Sequence, residues 1–173
     1  MNSTVLANTL RFLGLVFLQV LVLKRFSLGW ENFNYFNIFL YPLFIMLLPL
    51  RIPHSLLVGL GFVLGIGIDI FYDSPGVHAS AGVFTAFIRP FVLSFMEPRG
   101  GYNVNHTPTK ARFGLSWFLI YSSVLMFAHL FFYFSVEAFT FYYIGDIFLR
   151  TVSSFFISMI FIIMYQFIFD PRD

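Results

Sequence analysis

The chain has 173 residues, of which 59% are hydrophobic and only 10% charged, far from the ~45–50% apolar and ~25% charged composition of soluble domains. That balance excludes a water-soluble globular protein and predicts an all-α, polytopic integral membrane protein, the lipid being met by helices whose backbone is satisfied internally. A net charge of +2 without a Lys/Arg cluster excludes nucleic acid as a partner, and the lack of cysteine excludes disulfides and thiolate metal sites.

Six apolar runs, at residues 5–23, 35–50, 55–72, 77–96, 113–136 and 147–169, are read as transmembrane helices of one domain covering 1–173. The first carries Asn8, Arg11 and Gln19 and lacks a small-residue cleavage site, so it reads as a retained anchor, not a removed signal peptide. The second is short and holds Pro42 and Pro49, which favour a kink or an early end. It either borrows length from the aromatic "WENFNYF" at 30–36 or drops out, which leaves a five-span variant open. With a cytoplasmic N-terminus, Arg11, Arg51, Arg99, Lys110, Arg112 and Arg172 fall inside and Lys24, Arg25 and Arg150 outside, so the positive-inside bias predicts both termini in the cytoplasm.

The third run, "LLVGLGFVLGIGIDIFYDSPG", concentrates Gly59, Gly61, Gly65 and Gly67. Gly61 and Gly65 have the small-xxx-small spacing that lets helices approach closely, within the bundle or at a dimer seam, the former being the simpler expectation. Asp69 follows near the outer end, where it meets the negative end of its own helix dipole and so needs a partner. Asp73 lies four residues on, on the same helical face, where the two carboxylates repel unless donors are near. His78, across the Asp-Ser-Pro-Gly turn, is the nearest candidate donor. Three readings of this cluster compete: an intramembrane aspartyl protease, which would need carboxylates from two separate helices; a metal site of Asp69, Asp73 and His78, which lacks a defined ligand spacing; and a polar joint closing the hairpin of helices three and four. The last asks least of the residues.

Arg89 lies inside the fourth run, just before Pro90. It either snorkels to the cytoplasmic interface, with a kink at the proline, or turns inward to carbonyls or a partner protein. The polar connection at 97–112, "EPRGGYNVNHTPTKAR", reads as a cytoplasmic loop, which makes its Asn105-His106-Thr107 sequon accidental. His129 in the fifth run reads as a hydrogen-bonded core histidine, and Asp146 with Arg150 as an i, i+4 pair. No nucleophile-and-base motif and no phosphate-cradling glycine loop occurs, so neither catalysis nor a cofactor is expected.

The hairpin at 56–93, "LLVGLGFVLGIGIDIFYDSPGVHASAGVFTAFIRPFVL", resembles the bacterial rod shape-determining protein MreD family. In that family a glycine-bearing helix ends in aspartate, and a short Pro/Gly turn leads to "GxHA" and an alanine-rich helix. The matching residues here are Gly61, Gly65, Asp69, Pro75, Gly76, His78 and Ala79. "FLQVLVL" at 17–23, "LYPLFIMLLP" at 40–49, "FIRPFVL" at 87–93 and the chain length also look like this family, whereas the last two helices support it only by size and hydropathy. The resemblance implies a non-enzymatic inner-membrane subunit of the elongation (rod) complex. Its partners would be a bitopic MreC-like protein, the MreB filament, RodA and its penicillin-binding transpeptidase, and Gly61, Gly65, Asp69, Asp73, His78 and Arg89 would serve packing or partner contact. The competing expectation is the substrate-binding subunit of an energy-coupling-factor vitamin importer, also a bundle of about six helices. There Asp69, His78 and the aromatic fifth helix would line an outward pocket, although no alanine-x-x-x-alanine run is present for the transport module.

Overall fold

The computed structural model describes residues 3–25, 36–103, 106–140 and 142–169. Among these the regular structure is all helical, without strands. Helix α1 (Ser3–Phe17) runs on into a six-residue π-helical stretch, Leu18–Leu23, and is followed by a single-turn α2 (Leu43–Met46), α3 (His54–Tyr72), α4 (Val77–Phe95), a short α5 (Lys110–Phe113), α6 (Leu115–Ala138) and α7 (Ile144–Phe169). Val5–Leu23, α3, α4, α6 and α7 are each long and apolar enough to cross a membrane. The protein is a polytopic all-α membrane protein with five such helices among the described residues, not six.

The difference lies at 35–50, which does not form a transmembrane helix. Residues 36–40 have no regular structure, 41 and 42 turn, and only Leu43–Met46 are helical before the chain becomes irregular again. Pro42 enters that helical turn as its N-cap, and Pro49 stops any continuation. Residues 30–35, and with them most of the proposed aromatic extension, lie outside the described residues, as do Asn105 of the sequon and Arg172.

The segment still traverses the bundle. Gln19, late in the first span, bonds Ile38, and Arg11, eight residues earlier, bonds Leu47; those positions are ~12 Å apart along a helix. Tyr72, at the end of α3, also bonds Gln19. The segment therefore runs antiparallel to α1, and α3 returns parallel to it. Arg11 and Tyr165, from the first and last helices, line one groove with Ala7 and Phe169, so the start of the first helix and the end of the last lie on one face.

From Phe39 to Leu48 every residue is buried, and Tyr41, Leu43, Ile45, Met46 and Leu47 have no exposed surface. The core of the protein is thus a piece of irregular chain sheathed by helices. Burial within protein is one of the settings in which non-helical backbone is tolerated at membrane depth. α4 packs against both α3 and α6, and α6 against α7, while α1 makes fewer contacts.

Candidate functional site

The α3–α4 hairpin begins with glycine. A Cβ on Gly65 would lie 2.3 Å from Ala79 Cα, and one on Gly61 2.7 Å from the Gly82 carbonyl oxygen. The two backbones touch there, so the Gly61/Gly65 face is turned onto α4 and not outward. Nothing lies within 4 Å of the corresponding position on Gly59 or Gly67.

That contact sets Asp69 beside the first turn of α4. Asp73 adopts the left-handed conformation (φ 53°) that ends α3, and Gly76 (φ 89°) turns the chain into α4. The Asp69 carboxylate then accepts from the backbone N–H groups of Gly76, His78 and Ala79 at 3.1, 3.0 and 3.0 Å, from Ser74 Oγ at 3.0 Å and from His78 Nδ1 at 2.9 Å. Its partner is therefore chiefly the positive end of the following helix, whose orphan donors it satisfies. The donors that the Asp69/Asp73 pair calls for gather on Asp69, while Asp73, at the left-handed cap, is exposed. No group of three metal-binding side chains forms among the described residues.

His78 is fully buried in a box of four rings, with centroids at 6.0 Å for Phe39, 5.6 Å for Tyr41, 4.9 Å for Tyr72 and 4.8 Å for Tyr133. Ser74, His78 and Asp69 have the composition of a hydrolytic triad but not its geometry. A triad places serine and carboxylate on opposite ring nitrogens, whereas here both Ser74 Oγ and Asp69 Oδ1 lie 2.9 Å from Nδ1, and Nε2 has no hydrogen-bond partner among the described residues.

The irregular segment is held from all sides by side chains. Gln19 acts as a strand would: its Nε2 donates to Ile38 O at 2.8 Å, and its Oε1 accepts from Leu40 N at 2.8 Å and Tyr41 N at 3.4 Å. Ser154 and Ser158, one turn apart on α7, accept from Asn37 N at 3.1 Å and Phe39 N at 2.9 Å. Deeper in, the Tyr41 hydroxyl lies 2.8 Å from His129 Nε2, and Thr85 Oγ1 lies 2.7 Å from His129 Nδ1. Because Thr85 gives its one proton to Ala81 O at 2.8 Å, His129 carries its proton on Nδ1 and accepts from Tyr41. This histidine is a hydrogen-bonded core residue that ties the segment to α4 and α6.

Three successive carbonyls at the far end of α2 are each met by a side chain. Tyr121 donates to Met46 O at 3.0 Å and Arg11 to Leu47 O at 3.2 Å; Arg89 Nη2 donates to Leu48 O, and its Nε donates to the Tyr121 hydroxyl at 2.9 Å. Arg89 does not snorkel: only 1% of its surface is exposed. Nor does Pro90 end the helix, since α4 continues to Phe95 with Arg89 in its interior. The orphan carbonyls of a helix C-terminus draw the guanidinium inward, where its planar fork serves two acceptors at once.

The loop after α4 closes this end, His106 O accepting from Leu50 N at 3.1 Å. Tyr102 in that loop donates to Leu93 O at 2.9 Å, and burial, aided by the negative charge of Glu97, pushes its hydroxyl up to about 12. At the opposite end Arg150 pairs with Glu137 at 2.7 Å, not with Asp146, and lies over the Phe134 ring. The close of α6 faces the start of α7 there, so an interhelical carboxylate is nearer than the one a turn away.

The sequence singles out Asp69, Asp73, His78, Arg89 and the two glycines, of which Asp73 stands exposed outside the joint, but it gives no role in the site to Gln19, Tyr41, Thr85, Tyr121, Ser154 or Ser158. The available signals were a glutamine in an apolar helix and a serine pair at i, i+4 spacing. No family model matches the chain, no curated protein matches it, and no solved structure matches its fold.

Proposed function

We propose that this chain is a non-catalytic inner-membrane subunit of the bacterial cell-wall elongation complex, resembling MreD, which binds a bitopic MreC-like protein and helps to determine cell shape during lateral peptidoglycan synthesis. The observation that carries this reading is the joint itself. Gly65, Asp69, Gly76, His78 and Ala79, which carry the resemblance, meet at one joint, and Gly61 packs on Gly82 of the same hairpin. A resemblance whose most specific residues act together to set the angle of a hairpin is the kind expected of a shared scaffold. MreB, RodA and its transpeptidase would be the wider assembly. Both termini would face the cytoplasm, because the terminal face carries Arg51, Arg99, Lys110 and Arg112.

The chemistry of the site supports a scaffold. All five donors around Asp69 come from its own hairpin, which leaves the carboxylate little capacity for a ligand, as the vitamin-importer reading would require. Affinity purification of the tagged protein from its native membrane in mild detergent, followed by protein and small-molecule mass spectrometry, tests the proposal. Recovery of an MreC-like protein with wall synthases is the expected result. Recovery of an ATPase module with a vitamin-sized molecule would replace it with the importer reading.

A further inference from the structure

α1 is the least covered of the five spans: 11% of the residues in its apolar stretch are buried, against 33–44% for the others. Gln19 and Arg11 tie it to the buried segment, but over Val5 to Leu13 it leaves a gap against α3. The gap is a groove of about 660 Å³ walled by Val5, Phe12 and Leu13 of α1 and by Leu56, Leu60 and Val63 of α3, with Phe44 and Leu48 also lining it.

Three features say what fills it. The walls are almost wholly apolar, with Asn8 and Thr9 the only polar side chains lining it, so in a membrane the occupant is hydrocarbon. The groove covers Val5 to Leu13 of α1, or ~12 Å of helix, which is less than half of a ~30 Å hydrocarbon core. A partner helix would need contact through the whole core, whereas an acyl chain occupies one leaflet. Finally, Pro49 and Ile52 line the groove, and between them stands Arg51, exposed and without an ion pair among the described residues. A cation beside the end of a one-leaflet apolar slot is complementary to an anionic headgroup on an acyl chain.

We infer that the groove between α1 and α3 binds one anionic glycerophospholipid from the leaflet on the terminal side, its acyl chain along Leu13, Leu56 and Leu60 and its phosphate at Arg51. Such a lipid would fill the space that keeps α1 apart from α3. It is required by neither reading of the chain's partners, so the two stand or fall separately.

The probe is 1-palmitoyl-2-oleoyl-phosphatidylglycerol, with the phosphatidylcholine of the same chains as the neutral control. The purified protein is incubated with equimolar mixtures of the two and its retained lipid read by native mass spectrometry. One phosphatidylglycerol per chain should survive activation in preference to phosphatidylcholine. Arg51→Gln should reduce that preference ~5-fold while leaving acyl-chain retention in place. Leu60→Trp, which fills the slot, should abolish retention of both lipids. Leu13→Trp does the same from the opposite wall, and because Leu13 is 44% exposed it keeps the test open if Leu60→Trp fails to fold. Equal retention in both tryptophan variants would overturn the site, equal binding of the two lipids would overturn the headgroup assignment, and a stoichiometric polypeptide in place of lipid would give the groove to a partner helix.

Discussion

Asp69, in the last turn of α3, caps the first turn of α4, where His78 stands. The carboxylate of one transmembrane helix accepts the backbone N–H of His78 at 3.0 Å and its ring Nδ1–H at 2.9 Å, so the cap of α4 is supplied from eight residues before its first residue and from the helix it packs against. Reversal of the chain, capping of α4 and neutralisation of a buried acid are thereby one interaction.

Asp69→Asn tests that economy. The carboxamide keeps the size but offers one acceptor oxygen in place of two, and its NH2 group would face the N–H groups of Gly76 and Ala79. Hydrogen bonds to a charged group contribute about 1.5–3 kcal/mol each, so losing two should destabilise the protein by at least ~2 kcal/mol, read as a lower melting temperature in detergent. Unchanged melting would mean that the cap contributes nothing.

Gly65 and Gly67 make a matched pair. At Gly65 an added methyl meets the Ala79 backbone, and at Gly67 it meets nothing within 4 Å. Gly65→Ala should separate α3 from α4 and lower the yield of monodisperse protein, while Gly67→Ala should be neutral or stabilising by up to ~1 kcal/mol from helix propensity. Equal behaviour would reject close packing of the hairpin.

Gln19→Leu removes the partners of Ile38 O, Leu40 N and Tyr41 N together. A buried polar group left unsatisfied costs ~1–3 kcal/mol, so this variant should be among the least stable. Ser158→Ala, which strands only Phe39 N, should cost ~1 kcal/mol and raise amide hydrogen exchange at residues 37–41 selectively. Exchange that rises evenly along the chain would show that the segment is not held locally.

Arg89→Lys separates charge from geometry. Lysine keeps the charge but cannot reach both Tyr121 and Leu48 with a planar fork, so it should lose stability nearly as fully as Arg89→Met, with faster exchange around 46–50. If lysine restores wild-type stability, charge alone is what the site needs.

The Glu137–Arg150 pair is the contrast. Its side chains are 36% and 24% exposed, and partly exposed pairs contribute ~0–1 kcal/mol. Glu137→Gln should therefore shift the melting temperature little, and any shift should shrink in high salt.

How much of this was legible beforehand differs from element to element. The spans containing α3, α4, α6 and α7 follow from hydropathy, because a helix that satisfies its own backbone needs only a long enough apolar run to enter lipid. The need of Asp69 for a partner also follows, since a carboxylate at a helix C-terminus is opposed by the dipole. That its chief partner is the N-terminus of the next helix depends on Asp73 and Gly76 adopting left-handed conformations together, which composition does not fix.

The segment at 36–50 marks the boundary. Its sequence is as apolar as a membrane helix, and only Pro42 and Pro49 speak against one. Its conformation was decided by Gln19, Arg11, Arg89, Tyr121, Ser154 and Ser158, which lie up to 119 residues away in the chain and become partners only when the helices assemble. Hydropathy records what a segment loses on leaving water. Where its backbone then finds hydrogen bonds is a property of the neighbours, and that only the tertiary structure decides.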